Sequence, residues 1–556
     1  MEAFRPRSAT APASDERQEP VRCGRIIEVL GEPGGERCQA RWEERRERVW
    51  VLVRRRVTMG LLFYPRGGSA QVVRYLAGAL EDAGWSTELV CGSLGVAGET
   101  TNAASFYTGM DVQALDFSPA VEAFDRGEDA VAHDPPMSPS FEDRAGVPDR
   151  ALASVSPELG DHLADAWARF LQGALRRTPG VLHVHHLSPL HEAFARVAPG
   201  TPLVTHLHGT EMKMIDRVDQ LTRLAHMQGT DLAGMADREL ANVLPSLESY
   251  PHEARELVAQ TRWEHWRYGS YWASRLRTIA NACEHFIVVS PHDRDEARRL
   301  LGVEDDRVHW IPNGVDTHLF DRREVRHDER VALWRRWLVD EPKGWDETGR
   351  PGSIRYDERD IAPLTDPHVP VLLFVGRFLD FKRVPLLIRA YAAARESFEV
   401  QAPLVIWGGF PGEWEGEHPE TVASSLGLND VFFVGWRGHE DLARGLSCCD
   451  VLVAPSKNEP FGLVFLEAMA SGLPVIATRS GGPLSFVNTE PGAPNGWMVA
   501  VDDQDELTTA LIDAVNDPGA RRARSENAHT QIRSHYSWKQ IANRFTDLYE
   551  HATSST

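Results

Sequence analysis

The chain has 556 residues, enough for two to four domains with substantial cores. Its 60 basic and 81 acidic residues give a formal net charge of −21, which sets aside nucleic acid or an anionic membrane as the main partner. No apolar run approaches the roughly 18 residues of a spanning helix, and the Arg-containing N-terminus lacks a signal-peptide core, so a soluble cytoplasmic protein is expected. The six cysteines, Cys448 and Cys449 adjacent among them, follow no framework or Cys-x-x-Cys spacing and read as small buried hydrophobes of a reducing compartment.

Residues 1–58 form an extension of different character, slightly basic where the remainder is strongly acidic. Its first twenty residues, rich in Ala, Pro, Ser and Glu, have the composition of a disordered segment. Arg25-Ile-Ile-Glu-Val-Leu30, a Gly-Glu-Pro-Gly-Gly35 turn and Cys38-Gln-Ala-Arg-Trp42 predict a small β-hairpin. This piece resembles part of a short actinobacterial SH3-like domain of unknown function, except that Glu-Glu-Arg-Arg follows Trp42 where that domain has a turn glycine. The alternative is a misassigned start: Met59 opens directly onto the first core strand, and a chain begun there is expected to fold and stay active.

From Met59, Gly-Leu-Leu-Phe-Tyr64 reads as a strand, Pro-Arg-Gly-Gly-Ser69 as a loop, Ala70 to Ala83 as an amphipathic helix and Gly84 to Cys91 as a second strand. Gly67 and Gly68 remove side chains where backbone approaches a ligand at a helix start. Val181-Leu-His-Val-His-His186 and Pro202-Leu-Val-Thr-His-Leu-His208 are histidine-rich strands whose alternation pairs His183 with His185 and His206 with His208. Metal binding is one reading of them, but no carboxylate at helical spacing accompanies the histidines, and no metal is expected.

Residues 213–283 exceed what a Rossmann crossover needs. Within them, Arg262-Trp-Glu-His-Trp-Arg-Tyr-Gly-Ser-Tyr-Trp272 reads either as a sugar or acceptor surface or, at this spacing, as helix core. Asn313-Gly314 marks a turn. A further insertion at about 331–366 carries Trp334, Trp337 and Trp345, and the pattern gives it no role.

Val371-Leu-Leu-Phe-Val-Gly-Arg-Phe378 is a buried-type strand, followed by Leu-Asp-Phe-Lys-Arg383 and the helical Pro385 to Tyr391. Arg377 and Lys382 fall on the loop at the carboxyl edge of a parallel sheet, where ligands bind in open α/β folds, and two cations there can neutralise a diphosphate. The plainer reading is an ion pair with Asp380. Asp450-Val-Leu-Val-Ala454 is the next such strand, and Pro455-Ser-Lys-Asn-Glu-Pro-Phe-Gly-Leu-Val-Phe-Leu-Glu467 runs from its loop into a helix ended by Gly472 and Pro474. Glu459 lies at the helix entrance and Glu467 one to two turns in. Unpaired N–H groups of a helix start suit an anion and carboxylates accept from hydroxyls, a combination that fits a nucleotide sugar. Ser480-Gly-Gly-Pro483 supplies a second glycine loop.

The two glutamates eight positions apart, followed by Ala-Met-Ala-Ser-Gly-Leu-Pro-Val-Ile-Ala477, closely resemble the signature of the retaining glycosyltransferases of the GT-B fold, family 4. Gly376-Arg377 with Lys382 resembles the same family's diphosphate-binding stretch, Trp310-Ile-Pro-Asn-Gly-Val-Asp316 its interdomain linker, and Tyr536 to Tyr549 its last helix, which crosses back to the N-terminal domain. The resemblance covers about 59 to 550. It implies an α/β fold of two Rossmann-like domains facing across a cleft. The acceptor side would be 59–310 plus the crossing helix 536–552, and the donor side 311–535.

What the resemblance implies for the site follows residue by residue. Glu467 would hold the ribose hydroxyls and Glu459 the donor hexose, while Arg377 and Lys382 would bind and stabilise the departing diphosphate. Gly67 and Gly68 would face the donor phosphates, with Arg66 as the accompanying polar group, and Phe461, Gly462 and Leu463 would line the donor between the two glutamates. His208, with His206 as its fallback, would reach the hexose, and the base would lie near Val434-Gly-Trp-Arg437. The expected partners are a nucleotide-diphosphate sugar as donor substrate, with no separate cofactor, and a small-molecule, lipid or glycan acceptor. Two other classes compete. A GT-B epimerase or hydrolase would need an acid/base His–carboxylate arrangement, and a non-catalytic sugar-binding protein would have lost charged motif residues that are intact here.

Overall fold

The computed structural model describes residues 55–142, 147–238 and 251–554. The expected hairpin of the extension lies outside these residues.

Seven strands make the first sheet: β1 Arg56–Leu61, β2 Ser86–Ser93, β3 Val112–Asp116, β4 Val181–His185, β5 Leu203–His206, β6 His285–Val288 and β7 Val308–Trp310. All pair in parallel in the order β3-β2-β1-β4-β5-β6-β7. Parallel strands need helical crossovers, and helices on both faces bury the central strands, while the edge strands β3 and β7 stay partly open. Helices Gly67–Asp82 and Trp538–Ser554 cover one face, where Leu76, Leu80, Phe545 and Tyr549 share a core with Val57, Met59 and Val181. Helices Pro157–Ala174 and Leu190–Val197 cover the other through Trp167, Leu171 and Phe194.

The second sheet follows the same plan: β8 Leu372–Gly376, β9 Leu404–Gly408, β10 Val431–Gly435, β11 Val451–Ala454, β12 Val475–Thr478 and β13 Gly496–Val499, in the order β10-β9-β8-β11-β12-β13. In each sheet the direction of winding reverses once, between β1 and β4 and between β8 and β11. At such a reversal the flanking loops part and leave a crevice at the carboxyl edge, where open α/β sheets bind ligands. The loops after β1, β4, β8 and β11 carry Gly67, His186, Arg377 and Glu459. The long C-terminal helix Trp538–Ser554 returns to the first sheet, as the family resemblance implies.

One expectation changes, and two stretches left open in the sequence find their place. The first strand starts at Arg56, not at Met59, because Arg56 to Thr58 already pair with Ser86 to Glu88. The aromatic stretch around 262–272 is core: Trp263, Trp266 and Trp272 are buried, and the Trp272 indole N–H donates to the Val155 carbonyl at 2.7 Å. The insertion at 331–366, which the sequence leaves without a role, is packed into the second sheet's core. Trp334, Trp337 and Trp345 are each no more than 1% exposed. Trp337 meets Trp407 of β9 edge-on at 5.0 Å, and the Arg437 guanidinium donates to the Trp337 and Glu341 carbonyls at 2.8 and 2.6 Å. The insertion thus buttresses the carboxyl ends of β9 and β10.

Candidate active site

The stretch from Pro455 to Glu467 leaves β11 in an irregular loop and enters helix Leu463–Ala470 through Gly462, whose φ of 87° is a left-handed conformation that glycine takes without strain. The loop is held from behind by Ser480-Gly-Gly-Pro483. The Gly482 N–H donates to the Glu459 carbonyl at 2.7 Å, and a Cβ on Gly481 would fall 2.2 Å from that same oxygen. The second glycine loop is therefore a cradle that fixes the backbone under Glu459. Phe461 does not line the cleft: it is 3% exposed and meets Phe486 at 5.5 Å inside the core, so its side chain anchors the loop.

Glu459 and Lys382 form the centre of the site. Lys382 Nζ donates to Glu459 Oε2 at 2.5 Å, and both side chains are largely buried. Burial pushes the Glu459 carboxyl up, but the Lys382 ammonium outweighs it and holds the group below the usual carboxylate range. Phe381 lies between two ammonium groups, Lys382 Nζ at 5.0 Å and Lys213 Nζ at 4.5 Å from its ring centroid. Lys213, on helix Thr210–Met227 of the first domain, also donates to the Asn458 carbonyl at 3.0 Å, so this cation bridges the two domains beside Glu459.

Arg377 is not paired with Asp380, which instead accepts from Arg383. Its guanidinium makes a bidentate contact with Glu142 of the first domain, at 3.0 and 2.8 Å. A guanidinium fork that engages a carboxylate in this way engages a phosphate equally well. The Arg377 side chain keeps 42% of its surface open, so the pair sits at the mouth of the cleft. Arg66, at the loop after β1, reaches the Tyr64 hydroxyl and Asp149, each at 2.8 Å.

Glu467 is 7% exposed and lies behind these groups on its helix. Burial pushes its carboxyl up, opposed by the His439 imidazole, whose Nε2 is 3.9 Å away. Tyr75 of helix Gly67–Asp82 approaches His439 Nδ1 at 3.3 Å, which joins the first domain to the Glu467 side of the cleft. Gly67 adopts φ 69° at the start of that helix, and a Cβ on Gly68 would be 3.8 Å from Leu463. The glycine loop and the helix bearing Glu467 therefore face one another across the cleft.

His208 stands just beyond β5, partly exposed, with its Nε2 3.0 Å from His185 Nδ1, and its backbone N–H donates to Glu211 Oε1 at 3.0 Å. Burial together with the neighbouring imidazoles holds His208 well below its ordinary value, so it is a neutral hydrogen-bonding ring. The fallback, His206, is wholly buried inside the sheet and does not reach the cleft. Next to His208, Gly209 approaches Pro460 so closely that a Cβ would lie 3.0 Å from the proline Cβ.

The sequence pattern thus brings together Gly67, Gly68, His208, Arg377, Lys382, Glu459, Gly462, Leu463 and Glu467 on facing edges of two sheets. It missed Glu142, Lys213, Glu211 and His439. Only Lys213 carried a usable signal, an isolated Lys one turn into the helix after Thr205-His-Leu-His-Gly209.

Two doubly wound parallel sheets whose carboxyl edges oppose each other, with cations and carboxylates between them, define a GT-B protein. Residues 66–319 match Glycosyltransferase Family 4, and residues 357–531 match Glycosyl transferases group 1. The chain belongs to this glycosyltransferase family. It is similar to the D-inositol 3-phosphate glycosyltransferases of Corynebacterium kroppenstedtii, 37% identical over 36% of this chain and 45% of that protein, and of Saccharomonospora viridis, 33% identical over 50% and 57%. The chain therefore spans about half the length of these relatives. Among solved structures, sucrose-phosphate synthase from Thermosynechococcus elongatus superposes with a TM-score of 0.55 at 20% identity, covering 90% of this chain and all of that one. Anabaena HepE in complex with UDP and glucose gives 0.53 at 16% identity, covering 89% and 99%. Among the described residues, no helix is long and apolar enough to cross a membrane.

Proposed function

We propose that this protein is a retaining glycosyltransferase that moves a hexose from a nucleotide-diphosphate sugar to an acceptor hydroxyl without a metal ion in the transfer step. The observation that carries this reading is the pair of cleft cations, Arg377 and Lys382, each already seated on a carboxylate, Glu142 and Glu459. A donor diphosphate would displace Glu142 from the Arg377 fork and draw Lys382 off Glu459. Glu459 would then be released to accept from hexose hydroxyls. As the bond from the anomeric carbon to the diphosphate oxygen breaks, negative charge grows on the departing diphosphate, and the two fixed cations stabilise it where it grows. Glu467 would accept from the ribose hydroxyls, and the neutral His208 would bond a hexose hydroxyl. The acceptor would approach from the first domain, past Lys213.

The test is incubation of the protein with UDP-, GDP- and ADP-hexoses, reading slow hydrolysis and its anomeric outcome by NMR. Release of the α-sugar from an α-linked donor, unchanged by omitting Mg²⁺ and Mn²⁺, is expected. An inverted product, or a strict need for either ion, would contradict the reading. Because HepE was solved with UDP and glucose, UDP-glucose is the first donor to try.

A further inference from the structure

The proposed reaction uses only His208 of the five histidines gathered at the carboxyl end of β4 and β5. His183 and His185 alternate on β4 and His206 ends β5, so all three point to the same face of the sheet, beneath helix Trp538–Ser554. Each is 0% exposed. One ring nitrogen from each of the three lies within 4.8 Å of those of the other two. Such a cluster is expensive for a protein core: His183 Nε2, His185 Nε2 and both nitrogens of His206 are buried without a hydrogen-bond partner.

The pattern of partners is informative. The Nδ1 of His183 is 2.6 Å from the Tyr549 hydroxyl, and the Nδ1 of His185 is 3.0 Å from His208 Nε2. In both rings, then, Nδ1 is held by an outer partner and Nε2 is left over, the arrangement of metal-ligating histidines, whose second nitrogen fixes the tautomer and aims the ring.

We propose that His183, His185 and His206 form a three-histidine site for a divalent transition ion of the zinc class, which ties β4 to β5 under the C-terminal crossing helix. Three imidazoles suit zinc, copper or nickel and reject the oxygen-seeking magnesium and calcium. The planes of His183, His185 and His206 lie 12–32° apart, so coordination requires rotation about χ2 to converge the lone pairs. At His206 that rotation breaks no hydrogen bond. The ion ties the two strands together and is set apart from Arg377, Lys382 and Glu459. This inference stands apart from the proposed transfer reaction.

The experiment uses the untagged full chain, loaded with Zn²⁺, gel-filtered and analysed for metal by mass spectrometry. About one zinc per chain is expected, with a rise in melting temperature, and Co²⁺ in its place should show the visible bands of a tetrahedral nitrogen site. His206→Phe keeps an aromatic ring in the stack but no ligand, and should lower the zinc content at least tenfold. His285→Phe, at the separate His285–His309 pair, should retain it. A folded wild-type chain that holds less than a tenth of an equivalent, or a His206→Phe chain that binds zinc as before, would overturn the proposal. If His206→Phe does not fold, the wild-type stoichiometry and melting shift alone decide.

Discussion

At the residue scale, the two pre-formed ion pairs set what each substitution should do. On the proposed reading Glu142 competes with the donor for the Arg377 fork, and the pair is partly exposed, so its net worth is about 0–1 kcal/mol. Glu142→Gln should therefore tighten nucleoside diphosphate binding by up to about fivefold, measurable by calorimetry; weaker binding would show that Glu142 supports the site. If Lys382 stabilises the departing diphosphate as proposed, Lys382→Ala should lower kcat by about a hundredfold or more. A loss confined to KM would mean that Lys382 binds ground state and transition state alike. Arg377, Lys382, Glu459 and Glu467 were legible in the sequence because each sits at a fixed offset from a strand end or helix start. Glu142 was not, since it lies on an irregular stretch without periodicity and meets Arg377 only after the domains come together.

At the element scale, helix Pro291–Leu301 buries a titratable group at its start. Asp293 accepts from the Ser290 hydroxyl at 2.8 Å, and burial pushes its carboxyl up to about 7. The unfolded value is near 3.9. Between about pH 4 and 7 the folded chain thus binds more protons than the unfolded one, and stability falls as pH rises through that window. Asp293→Asn should flatten the fall, shrinking the difference in melting temperature between pH 5 and pH 8 by about 2 °C or more. An unchanged difference would contradict the assignment. The first strand carries a second consequence. A chain begun at Met59 lacks Arg56 to Thr58, of which Val57 and Thr58 are fully buried between β2 and β4. It should melt well below a chain begun at Arg54, contrary to the expectation drawn from the methionine alone; equal melting temperatures would show that the strand's first half is dispensable. Strand and helix types were legible through periodicity, whereas the edge of β1 was not, because Arg-Arg-Arg56-Val-Thr58 looks polar until its neighbours cover it.

At the scale of the whole molecule, two similar sheets are held face to face by small, specific contacts: Arg377 to Glu142, Lys213 to Asn458, Tyr75 to His439 and the return of helix Trp538–Ser554. The two-domain plan was readable from the sequence through the family resemblance of the stretches around Gly376, Glu459 and Glu467, which implies a second Rossmann-like domain facing the first. The inserted tryptophans of 331–366 were not readable, since a Trp stripe looks the same whether it meets a ligand or, as here, the flank of β9. On the proposed reading this cleft binds a nucleotide sugar through both domains' carboxyl edges. Calorimetric titration of UDP, GDP and ADP into wild type and Glu467→Ala tests it most directly. One of the three should bind the wild type, and loss of a charge-assisted bond of about 1.5–3 kcal/mol should weaken it roughly 10–200-fold in the variant. Folded wild-type protein that binds none of the three, or a variant that binds as tightly as wild type, would contradict the account.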